Sequence, residues 1–316
     1  MKKEIIRLFF FAAIATGLAA CNSNDDGVEA GVEIPGITVT EDTECCSAEE
    51  AFQVYKLLET LKEIPELALE VDGRYDVHAY STTGKLHQGY NDLYFVATKK
   101  ASGNYIKDFR LTSVTPLMNM VKMGMKHSTP TGGDAVALDD PRSAVKHTWV
   151  SFVMSTSEAG TWALSYNAQV LGKRASLEDA AITVDALAAG QEWLKSFKVG
   201  SDTYYLSLVN PTQWITGTND IRAYVSKKSS VITTPYAQAE EKFTIEIDPR
   251  MPDMGSHSSP GNVALTPQAD GSYLGTVNLT MTGLWRIYLT VKDSEGNVVA
   301  GGDYDSGGTL YWDVTK

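Results

Sequence analysis

The chain has 316 residues, of which 43% are hydrophobic and 21% charged. That is enough apolar material for more than one core, and too much for a disordered chain. Lys and Arg number 27 against 39 Asp and Glu, and the formal charge of -12 is a field that repels phosphate backbones, so nucleic acid is not expected as a partner. The only long apolar run is N-terminal, which argues against a multi-span membrane protein, and three cysteines are too few for a disulfide scaffold.

Lys2, Lys3 and Arg7 precede the apolar run Leu8 to Ala15, which is too short for a stable membrane span and reads as a signal peptide over residues 1–20. The segment Leu18-Ala19-Ala20-Cys21 resembles the lipobox of bacterial lipoproteins. The resemblance implies that Cys21 is lipidated and becomes the first mature residue, so that the chain is held at a membrane by this anchor. The alternative is an ordinary secretory signal cut near Ala20. Asn22 and the acidic residues after it resemble lipoproteins of Bacteroides-type bacteria, which implies the outer membrane, with a periplasmic and a surface-exposed location both open. Residues 21–46 are polar and acidic without periodicity, the pattern of a solvated tether.

The adjacent Cys45 and Cys46 leave three readings open: a strained vicinal disulfide, a bridge to another chain, or a reduced pair that binds a soft metal. Ser47-Ala48-Glu49-Glu50 has capping-box spacing, and Phe52, Tyr55 and Leu58 recur at helical intervals before Pro65. One amphipathic helix with its connection is expected over residues 47–70, packed on the domain that follows.

From about Tyr75 the sequence becomes short β-branched and aromatic runs separated by Gly, Asn, Asp, Ser and Pro, the pattern of an all-β sandwich. It also repeats. Tyr75 to Tyr80, then Gly89-Tyr90-Asn91-Asp92 and a run ending in Lys99-Lys100, is matched by Tyr204 to Val209, then Gly217-Thr218-Asn219-Asp220 and a run ending in Lys227-Lys228. Met120-Val121-Lys122-Met123-Gly124 leads to His127, as Met251-Pro252-Asp253-Met254-Gly255 leads to His257, with one residue extra in the first copy. Gly160-Thr161-Trp162 is matched by Gly283-Leu284-Trp285, each Trp being expected as a core anchor. The predicted architecture is two tandem immunoglobulin-like β-sandwich domains, residues 71–188 and 189–316, with a short linker or helical turn at about 186–196.

Eight methionines follow Met1, and six lie in the matched segments: Met118, Met120, Met123, Met125, Met251 and Met254. Both segments end in one of only five histidines. Thioether sulfur is a soft neutral ligand and imidazole a borderline one, a combination that suits copper(I) better than Zn²⁺, Ca²⁺ or Mg²⁺. In an extended strand Met123, Met125 and His127 would share a face, with Met118 and Met120 on the other phase unless a turn at Val121-Lys122 reverses the chain. In the second copy Pro252 and Gly255 break any strand, so Met251, Met254 and His257 must converge through a loop. The competing reading is that these methionines fill the sandwich cores.

The segment Met251-Pro252-Asp253-Met254-Gly255-Ser256-His257, followed by Gly271-Ser272-Tyr273 and Gly283-Leu284-Trp285, resembles the YtkA-like and FixH-like domains of bacterial envelopes. The resemblance covers roughly residues 203–294 well and 75–167 more loosely. It implies a small immunoglobulin-like sandwich and copper handling, with a copper transporter or an oxidase assembly factor as partner. Two departures are visible: Ser256 is inserted before His257, and the first copy lacks the proline and adds Met125.

Among the remaining residues, His78 and His87 are expected at surface or edge positions and His147 in a loop, while Met154 and Met281 are read as core or as third ligands. His127-Ser128 and His257-Ser258 come with no nucleophile elbow, and no phosphate-binding loop or zinc-protease helix is present, so an enzyme is not expected. Two functions follow. The first is an envelope lipoprotein that binds or delivers copper(I) through Met120, Met123, Met125, His127, Met251, Met254 and His257. The second is a non-metal surface or accessory interaction protein built from two sandwiches.

Overall fold

The computed structural model describes residues 47–188, 191 and 193–316. The predicted signal peptide and tether, and with them Cys21, Cys45 and Cys46, lie outside the described residues. Among the described residues the protein is all-β apart from one α-helix and three short 3₁₀ turns.

Helix α1 (Ala48–Glu59) starts at the capping box: the Ser47 hydroxyl accepts from the Glu50 N–H, and the Glu50 carboxylate accepts from the Ser47 N–H. Two otherwise unpaired helix-end donors are thereby satisfied. The helix buries Ala51 and Val54 against Val96, Tyr105 and Val145. It therefore covers the outer face of the first sheet, which explains why Val96 is buried although its neighbours Phe95 and Ala97 already fill the inner core. Lys107 Nζ holds the helix start, 2.7 Å from Glu50 Oε1.

The longer strands of the first copy are β1 (Tyr75–Ser81), β2 (Gly89–Lys99), β3 (Phe109–Met120), β4 (Met125–His127), β5 (Lys146–Phe152), β6 (Thr161–Val170) and β7 (Lys173–Ile182). β1, β2 and β5 are consecutive in a seven-stranded sheet, and β7, β6, β3 and β4 form a four-stranded one. Side chains alternate along each strand, so both sheets give one face to a shared core that includes Val77, Phe95, Leu111, Phe152, Trp162 and Tyr166.

The second copy contains β8 (Leu194–Val199), β9 (Asp202–Asn210), β10 (Gly217–Lys227), β11 (Thr244–Met251), β12 (His257–Ser258), β13 (Val263–Pro267), β14 (Ser272–Leu279), β15 (Leu284–Lys292), β16 (Val298–Gly301) and β17 (Tyr311–Thr315). They form a single ten-stranded sheet, because β13 pairs with β14 and touches β11 at Ile245 and Leu265. The end strands β8 and β16 meet, so the sheet nearly closes around a core that includes Ile221, Leu265, Trp285 and Trp312. Leu194 to Ser196, the end of the expected linker or helical turn, thus begin a strand instead. Its hairpin with β9 repeats the pairing of Leu69–Val71 with β1, which extends the duplication beyond its predicted start.

The matched turns are identical in construction. The Asn91 carboxamide accepts from the His87 N–H at 2.9 Å and donates to the carbonyls of His87 and Gly89 at 2.7 and 2.8 Å. Asn219 makes the same three bonds, to Ile215 N–H and to the carbonyls of Ile215 and Gly217, at 2.8, 2.8 and 3.0 Å. Gly89 and Gly217 both have positive φ, which suits glycine at a turn that must fold back on its own asparagine.

The copies are docked along the stretch after β4. Pro130 bridges Tyr236 in parallel, the Ser128 N–H donates to the Ile232 carbonyl at 2.6 Å, and the Tyr236 N–H donates to the Thr129 carbonyl at 3.1 Å. Beside this strip Trp149 stacks on Tyr224, with ring centroids 4.6 Å apart, and Tyr205 stacks on Tyr236 at 5.5 Å. The equivalent strip of the second copy, after β12, closes itself. Asn262 donates to the Ser259 carbonyl at 2.6 Å and accepts from the Asn278 N–H, and the Asn278 amide takes the Pro260 carbonyl.

Candidate metal centre

Both Met-x-x-Met-Gly segments are tight reversals. Val121–Met123 and Pro252–Met254 form one 3₁₀ turn each, ended by Gly124 and Gly255 in the left-handed region at φ 60° and 61°. In the first copy this turn sends β4 back antiparallel beside β3, with Met118 opposite His127 and Met120 opposite Met125. Directly opposed residues share a face of an antiparallel pair, and so do residues two apart along a strand. Met118, Met120, Met125 and His127 therefore lie on one face, the face that also carries Trp162 opposite Met118 on β6.

The His127 ring meets the Trp162 indole edge to face, with centroids 5.5 Å apart. Because these residues come from strands on either side of β3, their rings lean over Met118, and Met118 is fully buried. A Cβ on Gly160 would lie 2.7 Å from Met118 Cε and 3.1 Å from Met120 Sδ. The glycine of Gly-x-Trp is thus the space into which the methionine ends fit. The Trp162 indole N–H donates to the Met154 carbonyl at 2.9 Å.

The second copy repeats the arrangement. Met251 is opposite His257, His257 faces Trp285 at 6.4 Å, a Cβ on Gly283 would lie 2.9 Å from Met251 Cε, and the Trp285 indole donates to the Met281 carbonyl at 2.9 Å. Judged by pairing, the counterpart of buried Met251 is Met118. Judged by position before the turn, Met120 matches Met251, as the motif has it; the two matches differ because the first hairpin continues for two further pairs before it turns. Met120 and Met125 are what that extension adds.

The remaining predicted ligands are placed as follows. Met123 and Met254 are in the turns, 61% and 56% exposed, and Met125 is 45% exposed. Met120 is half-buried at the edge of the first core. Met154 and Met281, read as core or third ligands, each supply a backbone carbonyl to an indole, while Met281 also packs on the second core. That role is carried by the main chain and leaves no signal in residue type.

The His127 Nδ1 is 2.9 Å from the Ser128 carbonyl. A carbonyl only accepts, so Nδ1 carries the proton and Nε2 presents its lone pair. His257 has no such tie among the described residues and is exposed. His147 belongs to strand β5 instead of the expected loop, with Nε2 2.7 Å from Asp92 Oδ1 and its ring against Tyr94. His78 pairs with Glu63 at 2.8 Å, and His87 Nδ1 donates to the Gln88 carbonyl. Among the described residues no three His, Cys, Asp or Glu side chains come together. The donor set of this centre is thioether and imidazole, which matches a soft ion and lacks the anionic ligands of a Zn²⁺ or Ca²⁺ cage.

No protein-family model matches the chain, and no curated protein matches it significantly.

Proposed function

We propose that this protein is an envelope lipoprotein that binds copper(I) and passes it on, with the Met/His/Trp rows as its two sites. The observation that carries the reading is the composition of one hairpin face. Met120, Met125 and His127 are gathered at a rim over buried Met118, with the imidazole Nε2 presented as a donor. Core packing accounts for Met118 and Met251, which their rings enclose. It does not account for Met123, Met125 and Met254, whose apolar side chains are exposed in or next to the turn that leads to each histidine. When bound, the ion would supply one-electron chemistry. The chain supplies neutral donors, a fixed imidazole and an aromatic wall.

The resemblance to YtkA-like and FixH-like domains points the same way, with a copper transporter or oxidase assembly factor as recipient. Lipidation at Cys21 would hold the sites near the outer membrane. The test is titration of the chain with copper(I) against the chelator bicinchoninate. A variant with Met120, Met123, Met125 and Met254 changed to Leu and His127 and His257 to Gln keeps side-chain volume close to native. Loss of copper(I) binding in this variant is expected. Unchanged binding would reject the sites and favour the second reading, an interaction protein that uses its exposed methionine tips to hold a partner.

A further inference from the structure

We infer that the two sites are unequal, the first retaining its ion and the second exchanging it. This rests on the copper(I) reading above and concerns how the duplicated centre would be used. Two independent observations set the copies apart.

The first is the hairpin length. Beyond the shared pair of buried methionine and histidine, the first copy has the additional opposed pair Met120 and Met125. The second copy turns immediately after Met251 and His257. One face of the first hairpin thus carries Met120, Met125 and an imidazole above buried Met118, whereas the second carries an imidazole above buried Met251, with Met254 out in the turn. Each added neutral donor slows dissociation, because the ion leaves only when several bonds are broken together.

The second is the anchoring of the imidazole. The Ser128 carbonyl that accepts from His127 Nδ1 belongs to a buried residue whose own N–H is held by Ile232 and whose hydroxyl donates to the Pro116 carbonyl at 2.6 Å. His127 is therefore oriented by the junction between the copies. Ser258, the counterpart of Ser128, is exposed, and His257 is tied to no carbonyl among the described residues. Outer hydrogen bonds of this kind change metal affinity by about 10- to 100-fold.

The experiment labels the methionine methyl groups of the full chain with carbon-13 and adds copper(I) in steps. The expected result is that the Met120 and Met125 signals shift at the first equivalent and the Met254 signal at the second. Bicinchoninate should then strip the second site at least tenfold more readily. In a Met120→Leu, Met125→Leu variant, which removes sulfur and keeps volume, that difference should collapse. Simultaneous filling, or filling of the second site first, would overturn the inference while leaving copper(I) binding intact. Failure of every methionine signal to shift would overturn the binding reading and this inference together.

Discussion

The two hairpins show how a duplicated element keeps its construction and changes its attachments. Each has a buried methionine between a histidine and a tryptophan, a glycine that leaves room for the methionine end, and an indole bonded to a methionine carbonyl. What differs lies just outside that row. The first hairpin is longer and runs into the junction with its neighbour, while the second is short and ends in a strip whose Ser259 and Pro260 carbonyls are taken within its own unit. Packing inside a core tolerates little change of volume, so the row is preserved; a turn and a strand edge tolerate more.

The largest effects are expected at the tryptophans. Trp162→Ala and Trp285→Ala should each destabilise their own copy by about 3 to 5 kcal/mol, the usual cost of emptying a large buried aromatic site. Urea unfolding with hydrogen exchange followed on each set of strands would check this. Similar losses would confirm shared construction, and a neutral change in either copy would refute it. Smaller losses, about 1 to 3 kcal/mol, are expected for Asn91→Ala and Asn219→Ala, because each removes three bonds to main-chain groups of its turn. A large effect in one turn with none in the other would show that the turns are alike in shape only.

The smallest effect should sharpen the difference in attachment. Burial pushes the Tyr236 hydroxyl up from 10.0 to about 12, with nearby Tyr205 adding to the shift. Because the folded value lies above the unfolded one, this group stabilises the junction below pH 10, and its contribution is lost as the pH rises through about 12. Alkaline titration followed by hydrogen exchange should therefore loosen the strip Ser128 to Thr131 before the strip Ser258 to Asn262. Tyr236→Phe should remove that order.

Much of this was readable from residue types. The capping box at Ser47, the Gly-x-Asn-Asp turns and the Met-x-x-Met-Gly reversals are local chemistry, in which a few neighbouring residues decide the backbone. Strand partners are not local. Whether Met118 or Met120 matches Met251 depends on where the hairpin turns, and a shift of two residues keeps the same face toward the core, so the hydrophobic pattern reads equally well either way. The glycine before each Thr-Trp or Leu-Trp pair is a socket for a methionine on another strand, which nothing in its own flanks shows. Leu194 to Val199 is an end strand in which Phe197 alone is buried, and this weak alternation hid its first residues. His147 was placed in a loop because nothing in its flanks reveals the Asp92 carboxylate that holds it in β5.

The asparagine after β12 decides what the second strip can offer its surroundings. In the first domain the carbonyl of Thr129 is left for the next domain to claim, and the next domain claims it through Tyr236. If the second domain offered its Ser259 carbonyl in the same way, a further unit could add by the same contact, and then another, since a head-to-tail junction does not close on itself. Asn262 spends that carbonyl within the domain. The second strip thus keeps within its own unit the kind of carbonyl that the first lends to its neighbour.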